Sequence, residues 1–367
     1  MSRTRSPETR ELPQEPRRTR HARIVPSVAL EPRFSEANGD DAPILWQPGT
    51  PMDETFLRAA GVIPSEAIGQ NFLVDPELVA LVASQIIPNA QVVEIGAGPA
   101  NMTAVIAPIV QEVVGLEIDP ASYRPIHDAV LPQLGNARIL YQDALSFKFE
   151  KWVESQRDAI YQVFGNIPFH IAEPLLVKLA RLGDRVDRIT LLVGDNFAQI
   201  MAIRDPQDIR YGRMSFVASL FQVDTVAQIP REGFWPVPRT DATLINLTPL
   251  EHDLDGRDLT LQLRGQIINQ PDLTIIKVLN GFSPRQASGK MSKEQARRRD
   301  RRQTRDELRG LTRQLKPQDG YASGDNQSRV GISLVTRLGL PPEILSQPFS
   351  RLNNQQVRIL AQAIEKL

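Results

Sequence analysis

The stretch QVVEIGAGPANMTAVIAPIV, residues 91–110, decides the fold. It reads as a short apolar strand, a glycine-rich turn and a helix. Gly96 and Gly98 fall in the turn, where glycine lets backbone amides approach a ligand closely. The signal is weak by itself, because glycine turns are common and the third position of a dinucleotide fingerprint is Ala100 here. The meaning of the turn therefore depends on the strands and motifs around it.

Short apolar runs alternate with helical stretches around this turn. The chain continues with VVGLEI and then YRPIHDAVLPQL, with ARILY and a loop, with AIYQVF and then EPLLVKLARL, and with RITLLV and a further helix. Two strand-like runs close the segment, around residues 222–229 and 242–248. Such alternation predicts an α/β fold with a parallel sheet and helices on both faces. Ligands of such sheets sit outside the carboxyl ends of the strands, so the motif residues should collect there.

The segments on either side of the predicted sheet differ in composition. Residues 1–65 are rich in Pro, Arg, Glu and Ser without sustained periodicity, which predicts a mostly disordered extension. The sheet domain is expected over residues 66–250. Strand signals then fade, and residues 251–367 are predicted to form a small helical domain. It ends in NNQQVRILAQAIEKL, where Asn353 and Gln356 have capping-box spacing ahead of one apolar face.

The composition excludes several classes of site. The 367 residues are 41% hydrophobic and 23% charged, as in ordinary globular proteins. There are no cysteines, which excludes disulfides, zinc-thiolate sites and cysteine nucleophiles and suits the cytoplasm. The four histidines lack metal-ligand spacing, so no metal site is expected. No apolar run is long enough to span a bilayer, so we expect no membrane contact, and a monomer is the default expectation.

A basic block interrupts the C-terminal segment. Residues 285–316 hold twelve Lys or Arg against four acids, a local balance of +8 in a chain whose net charge is zero. Five arginines in it follow helical i, i+4, i+7, i+11, i+15 spacing, which predicts a cationic stripe that contacts RNA phosphates. They are Arg298, Arg302, Arg305, Arg309 and Arg313. The alternative reading is a solvated loop.

Two acidic side chains follow the next strands. Glu117 ends VVGLEI, and an acid at that strand tip can accept hydrogen bonds from both hydroxyls of a ribose. Asp143 follows ARILY, where a carboxylate can accept from an adenine amino group. Asp119 competes with Glu117 but also suits a helix N-cap before Pro120. No P-loop is present, which argues against a nucleoside triphosphate, so the pair favours S-adenosylmethionine over NAD.

The stretch FGNIPF, residues 164–169, places Asn166 at the end of the fourth strand, beside the same cleft. Taken alone it reads as a strand-to-helix turn. An asparagine oxygen and a neighbouring carbonyl, held by Ile167 and Pro168, can accept both hydrogens of a purine amino group. This draws the nitrogen toward tetrahedral geometry and directs its lone pair at a methyl sulfonium. Phe169 offers a surface on which an extruded base can stack.

Taken in order, these motifs resemble those of the ribosomal RNA adenine N(6),N(6)-dimethyltransferase family. The resemblance runs from about Gly69 to Leu250 and more weakly to the C-terminus. GQNFLVD is similar to the opening motif, EIGAGPANMT to the glycine loop, LEID to the ribose motif, QDAL to the adenine motif and NIPF to the catalytic signature. YGRMS and FWPVPRTDA are similar to two further blocks of the family.

The resemblance implies a Rossmann-like S-adenosylmethionine-dependent methyltransferase domain with a small C-terminal helical domain. It implies two successive methylations of one adenine in small-subunit ribosomal RNA, within a small-subunit particle. The implied catalytic residues are Asn166, Pro168 and Phe169. The implied cofactor-binding residues are Gln70, Asn71, Leu73, Gly96, Gly98, Glu117, Asp143, Ala144 and Asn166.

The sequence departs from the family pattern at two places. Ala100 replaces a usual glycine after Pro99, which could crowd the methionine end of the cofactor. Residues 194–196, Gly-Asp-Asn, stand where the family has Gln-Lys-Glu, which bears on RNA positioning. Two alternative functions stay open, and the departures bear only on the second. One is a large-subunit ribosomal RNA adenine methyltransferase that confers antibiotic resistance, and the other is a catalytically lapsed RNA-binding assembly or transcription factor.

Overall fold

The computed structural model describes residues 46–65, 69–154, 159–250, 259–282 and 334–367. Residues Ile44–Leu367 belong to one compact unit. The Arg-rich segment and residues 1–45 lie outside the described residues, as do the five arginines predicted to contact RNA. The predicted division of the chain at residue 250 therefore stays a prediction.

Nine strands occur in the described part of the chain, and seven of them form the central sheet. Two short strands pair with each other beside it, β1 Phe72–Leu73 and β8 Phe234–Trp235, in antiparallel register. The strands of the central sheet are β2 Gln91–Ile95, β3 Glu112–Glu117, β4 Ala137–Tyr141, β5 Tyr161–Asn166, β6 Arg188–Gly194, β7 Phe221–Ile229 and β9 Ala242–Pro249.

The sheet has the order β4-β3-β2-β5-β6-β9-β7. Strands β2 to β6 run parallel to one another, and β9 is antiparallel to both β6 and β7. Five parallel strands direct their carboxyl ends to one edge. The strand order reverses at β2, because β3 lies on one side of it and β5 on the other. A ligand cleft is expected at such a reversal point.

Helices connect the strands and cover the sheet. They are α1 Glu54–Ala59, α2 Pro76–Ala83, α3 Asn101–Ile106, α4 Pro120–Val130, α5 Phe149–Trp152, α6 Phe169–Ala180, α7 Asp195–Ala202, α8 Arg213–Ala218, α9 Leu259–Asn269, α10 Ile275–Asn280, α11 334–338, α12 Pro342–Leu345 and α13 Asn354–Ile364. The C-terminal helix begins at the predicted capping box, since Asn353 and Gln356 bond reciprocally through side chain and backbone.

The core lies on both faces of the sheet. Every residue of β2 is buried. Successive residues point to opposite faces of a strand, and accordingly Val92 packs in one apolar cluster while Val93 and Ile95 pack in the other. A strand that is buried on both sides is typical of a parallel sheet with helices on each face. The α/β, Rossmann-like fold predicted from the sequence is confirmed.

The structure differs from the sequence-based expectation for residues 46–65. These residues were expected to lie in a mostly disordered extension, but they form α1 and contribute Met52, Leu57 and Val62 to a buried cluster with Tyr123 and Trp235. The apolar side chains of this segment pack against residues far along the chain. Such contacts leave no regular spacing in the local sequence from which order could be predicted.

No helix among the described ranges has the length and apolar content that crossing a membrane requires.

Candidate active site

The glycine-rich turn is attached to the neighbouring strand. The backbone N–H groups of Gly96 and Ala97 both donate to the carbonyl oxygen of Leu116 in β3, at 2.9 and 3.0 Å. Gly96 has φ +72° and Gly98 has φ +52°, which is the left-handed region that favours glycine. The turn thus leaves the end of β2 in a conformation that most residues avoid, and the sequence supplies glycine at both points.

Gly98 is enclosed as well as left-handed. Its N–H donates to Oε2 of Glu117 at 2.8 Å. A Cβ atom at this position would lie 2.9 Å from the ring of Phe72, which is closer than real Cβ contacts come. The predicted role of glycine here therefore has two structural reasons, the positive φ and the ring that packs over the residue.

Ala100 lies in the left-handed region that favours glycine. Its φ is +68°, it is fully buried, and it stands directly before α3. Its N–H donates to the carbonyl of Ala97, and its own carbonyl accepts from Ala104, both at 2.9 Å. An alanine in the left-handed region is strained by about 1 kcal/mol. The turn into α3 therefore carries an alanine where its φ favours glycine.

Glu117 closes β3 with its carboxylate turned toward the turn. The residue is 5% exposed, and Oε1 accepts from the N–H of Asp119 at 2.8 Å while Oε2 accepts from Gly98. Burial raises the pKa of Glu117, which the backbone hydrogen bonds partly offset. Each carboxylate oxygen has a second lone pair, so the group can still accept two hydroxyl hydrogens. Asp119, the competing candidate, instead caps α4 through Ser122.

An exposed apolar side chain follows Glu117. Ile118 is 64% exposed, although isoleucine is among the residues most often buried. It lies between the predicted ribose acceptor and the cap of α4, so its apolar side chain is accessible next to Glu117. Sequence reasoning missed this residue because a single isoleucine at a strand end carries no motif of its own.

Asp143 follows β4 and organises the loop there. Its Oδ1 atom accepts from the N–H of Leu145 at 2.8 Å, which makes it a turn-forming residue as well as a candidate adenine acceptor. Oδ2 has no hydrogen-bond partner among the residues that the structure describes. Ala144 is buried, at 6% exposure, so its backbone is the part of that residue most able to meet a ligand.

Asn166 and Asn71, two predicted site residues 95 positions apart, are in direct contact. The side-chain Nδ2 of Asn166 donates to the backbone carbonyl oxygen of Asn71 at 2.9 Å. Only the amide nitrogen can bond a carbonyl oxygen, so the contact decides which way the amide points. Oδ1 of Asn166 is left as a free acceptor among the described residues. A carboxamide held in this way can receive an N–H from a ligand.

The segment that carries Asn71 is itself fixed. Gln70 accepts from the N–H of Ser65 through Oε1 at 2.7 Å, and the side chain of Asn71 donates to the carbonyl of Gly69 at 3.2 Å. Leu73 is 3% exposed, and its carbonyl accepts from the side chain of Asn101 in α3. Leu73 is therefore a core residue, and its side chain is not available to a ligand.

Ile167 and Pro168 form the joint between β5 and α6. Ile167 donates its N–H to Leu192 at 3.0 Å, and the carbonyl of Pro168 accepts from Ile171 at 3.2 Å in the first turn of α6. Within the described chain, the carbonyl oxygen of Ile167 receives no hydrogen bond, so it is a second acceptor beside Asn166. Phe169 begins α6, and its side chain lies outside the described residues.

The altered Gly-Asp-Asn run lies at the start of α7, after β6. The carboxylate of Asp195 accepts from the side chains of Gln228 and Thr243, which belong to β7 and β9. The acidic residue is therefore tied to the sheet. It stands near the carboxyl edge of the strand beside Asn166, where the family pattern has a lysine.

A buried histidine is a further feature that sequence reasoning missed. His127 in α4 lies with Nε2 2.7 Å from the carbonyl oxygen of Gly98 and Nδ1 2.9 Å from the hydroxyl of Tyr141. The helical spacing of Tyr123, Ile126, His127 and Val130 places all four on one buried face, and this periodicity is the signal that would have singled out the histidine.

The chain resembles known proteins over most of this region. A family model for ribosomal RNA adenine dimethylases matches residues 65–303, which is well over half of the chain. A Ribosomal RNA small subunit methyltransferase A from Moorella thermoacetica is 28% identical over 239 residues, covering 62% of this chain and 82% of that protein. A protein of the same name from Thermobifida fusca is 32% identical over 222 residues, covering 58% and 74%.

Among solved structures, a dimethyladenosine transferase from Plasmodium falciparum aligns with a TM-score of 0.45 at 18% identity, over 80% of this chain and 98% of that one. The family match spans the opening segment, the glycine turn, both acidic strand ends and the Asn166 joint described above. This chain belongs to the ribosomal RNA adenine dimethylase family.

Proposed function

We propose that this protein transfers two methyl groups from S-adenosylmethionine to the exocyclic amino group of an adenine in small-subunit ribosomal RNA. The observation that carries the proposal is the hydrogen bond from Nδ2 of Asn166 to the carbonyl of Asn71. It turns the amide so that Oδ1 can accept, and an amino-group substrate needs an acceptor at that point. Family membership and the names of the relatives support the choice of RNA.

The residues of the cleft fit an adenosine-bearing cofactor. Glu117 keeps a lone pair on each oxygen for ribose hydroxyls, Ile118 offers an apolar face for a base, and Asp143 keeps one carboxylate oxygen for an amino group. The left-handed turn at Gly96 and Gly98 lets the backbone approach closely. When bound, S-adenosylmethionine supplies an electrophilic methyl group on a sulfonium.

The chain contributes positioning more than acid–base chemistry. An adenine amino nitrogen is a poor nucleophile, because its lone pair is delocalised into the ring. In this proposal Oδ1 of Asn166 and the carbonyl oxygen of Ile167 accept its two hydrogens, which favours a tetrahedral nitrogen with its lone pair free. The bond from Nδ2 of Asn166 to Asn71, which leaves Oδ1 available, supports this. Neither acceptor removes a proton before transfer, and the methylated nitrogen then releases its proton to water. A monomethylated amino group retains one hydrogen, which can form a hydrogen bond to either acceptor.

The first experiment is methyl transfer from labelled S-adenosylmethionine to unmethylated small-subunit particles and, separately, to large-subunit RNA. We expect label as dimethyladenine in the small subunit only. Asn166→Ala should lower kcat by about 100-fold or more, by analogy with the removal of one group that stabilises a transition state. Asn166→Asp should be similarly impaired, because a carboxylate would set a negative oxygen against the Asn71 carbonyl and lose the hydrogen bond that orients the side chain.

Asn269→Ala, at an exposed asparagine of α9, is the matched control and should retain full turnover. Binding of S-adenosylhomocysteine, measured for each variant, should change much less than kcat. Label in large-subunit RNA alone would move the protein to the resistance-type methyltransferases. Cofactor binding without label on either RNA would favour the lapsed RNA-binding factor, and an unimpaired Asn166→Asp variant would contradict the role given to the amide.

The proposal extends to partner, location and assembly. We place the protein in the cytoplasm, acting as a monomer on an assembling small-subunit particle, with the stripe of Arg298, Arg302, Arg305, Arg309 and Arg313 against RNA phosphates. Light scattering of the purified protein tests the monomer against the chain mass of 41.0 kDa. Co-sedimentation with unmethylated small-subunit particles tests the partner, with large subunits as the comparison.

A further inference from the structure

The hydrogen bonds of His127 and its burial together set its tautomer and charge. The residue is 1% exposed, and its two ring nitrogens face the carbonyl oxygen of Gly98 and the hydroxyl of Tyr141. A carbonyl oxygen can only accept, so Nε2 carries the hydrogen. Burial lowers the pKa of His127, so the ring is neutral at neutral pH, and Nδ1 accepts from the Tyr141 hydroxyl.

Gly98 is therefore held at both of its backbone polar groups. Its carbonyl receives the Nε2 hydrogen of His127 at 2.7 Å, and its N–H donates to Oε2 of Glu117 at 2.8 Å. The ring of Phe72 packs over its α-carbon. A series of hydrogen bonds thus connects Tyr141, through His127 and Gly98, to Glu117. Tyr141 and Glu117 are also register partners in neighbouring strands, which fixes both ends of this hydrogen-bond series.

The packing of α4 does not require a polar side chain at this position. Tyr123, Ile126 and Val130 fill the rest of the buried face. The rings of Tyr123 and Tyr141 flank His127, with centroids 6.2 and 5.8 Å away. An apolar residue of similar size would serve packing alone. What a leucine could not do is donate a hydrogen bond to the buried carbonyl of Gly98, a residue without a Cβ atom to restrict its backbone rotation.

We propose that His127 is a positioning residue for cofactor binding. It fixes the Gly98–Pro99 peptide by its carbonyl and so limits the rotation of Gly98, whose N–H bonds the carboxylate of Glu117. The proposal rests on the proposed function, since it assumes that Glu117 receives the cofactor ribose. Tyr141 assists by holding the imidazole in the tautomer that donates from Nε2. His127 itself touches neither substrate nor reacting atoms.

The test compares four variants of the full chain. His127→Leu removes the donor, His127→Gln replaces Nε2–H by an amide N–H, and Tyr141→Phe removes the hydroxyl that bonds Nδ1. Thr190→Val is the matched control, because Thr190 is also fully buried and bonds the side chain of Asn246 in the middle of the sheet. The dissociation constant of S-adenosylhomocysteine is measured by calorimetry, together with Tm, and with KM and kcat on small-subunit particles.

We expect His127→Leu to weaken cofactor binding by about tenfold, the effect of leaving one buried acceptor unpaired. His127→Gln should remain within about threefold of the unaltered protein, and Tyr141→Phe should fall between the two. The loss should appear as a raised KM for the cofactor, with kcat at saturation retained. Thr190→Val should lower Tm without changing the dissociation constant.

Two results would overturn the proposal. The first is equal cofactor binding by His127→Leu and the unaltered protein. The second is a loss of affinity in Thr190→Val as large as that in His127→Leu, because the effect would then reflect general stability. If His127→Leu fails to fold, the cofactor affinities of His127→Gln and Tyr141→Phe test the proposal instead. Unchanged affinity in Tyr141→Phe would contradict the role of the hydrogen-bond series. Binding without RNA methylation by the unaltered protein removes only the proposed function, whereas absence of binding removes both.

Discussion

At Glu94 a carboxyl group is enclosed in the middle of the sheet. The residue lies in β2, is 3% exposed, and accepts a hydrogen bond from the hydroxyl of Thr103 in α3. The pKa of Glu94 is raised to about 8, chiefly by loss of hydration; the Thr103 hydrogen bond opposes this rise and the charge of Glu117 adds to it. At pH 7 the group is therefore neutral in the folded protein and charged in the unfolded chain.

This difference predicts a pH dependence of stability. Between the unfolded pKa of 4.5 and the folded value of about 8, the folded state binds more protons, so the free energy of unfolding falls as pH rises. Glu94→Gln keeps an acceptor for Thr103 but cannot ionise. The difference in stability between variant and unaltered protein should therefore grow with pH across this window, by up to about 1.4 kcal/mol per pH unit.

Urea unfolding of both proteins between pH 5 and about 8 measures this difference. Glu77→Gln, at an exposed position of α2, is the matched control for removing one carboxylate. Parallel stability profiles for Glu94→Gln and the unaltered protein would mean that the carboxyl of Glu94 is charged inside the sheet.

Single residues also show which features of the site could be predicted from the sequence. Gly96, Gly98, Glu117 and Asn166 were identified from the sequence because each lies at or just after the carboxyl end of a strand, and parallel strands bring these ends together. The orientation of the Asn166 amide could not be predicted, since its partner is a backbone atom 95 residues away. Pairings of that kind depend on tertiary distances, which local spacing does not encode.

Arg213, at the start of α8, joins elements that are far apart in sequence. Its guanidinium bonds Glu173 of α6 at 2.6 Å and the carbonyl of Leu352 at 2.7 Å, and its backbone N–H donates to Asn354 of α13 at 3.2 Å. The YGRMS block was recognised as a motif, but the sequence contained no sign that its arginine meets the C-terminal helix. By contrast, the cap of that helix was predicted, because Asn353 and Gln356 are three residues apart.

We expect Arg213→Lys to lower the free energy of unfolding by about 1–2 kcal/mol, because an ammonium cannot reproduce two guanidinium bonds in fixed directions. Chemical denaturation measures the loss. Arg210→Lys is the matched control, since Arg210 pairs with Asp208 at an exposed site where ion pairs contribute little, and it should leave stability unchanged. Equal losses of stability at the two positions would show that Arg213 acts as a surface charge and does not hold α8 to α6 and the C-terminal helix.

Over the whole molecule, charge is distributed unevenly. The net charge of the chain is zero, yet residues 285–316 have a local balance of +8, and the family match ends inside this block, at residue 303. A neutral protein that binds a polyanion needs its cations concentrated in one region, because long-range attraction otherwise cancels. We therefore expect this basic block to contribute much of the affinity for RNA.

Replacing all five stripe arginines by glutamine tests this directly. If each contacts one phosphate, log K should fall less steeply with log salt, the slope shrinking by about 3.5. Fluorescence anisotropy with a small-subunit RNA fragment, from about 50 to 200 mM KCl, measures the slope. The control replaces five arginines of the N-terminal extension, at positions 3, 5, 10, 17 and 18, for the same change in net charge. A slope that the stripe variant leaves unchanged would make the block a solvated loop, because phosphate contacts release counterions and solvated charges do not.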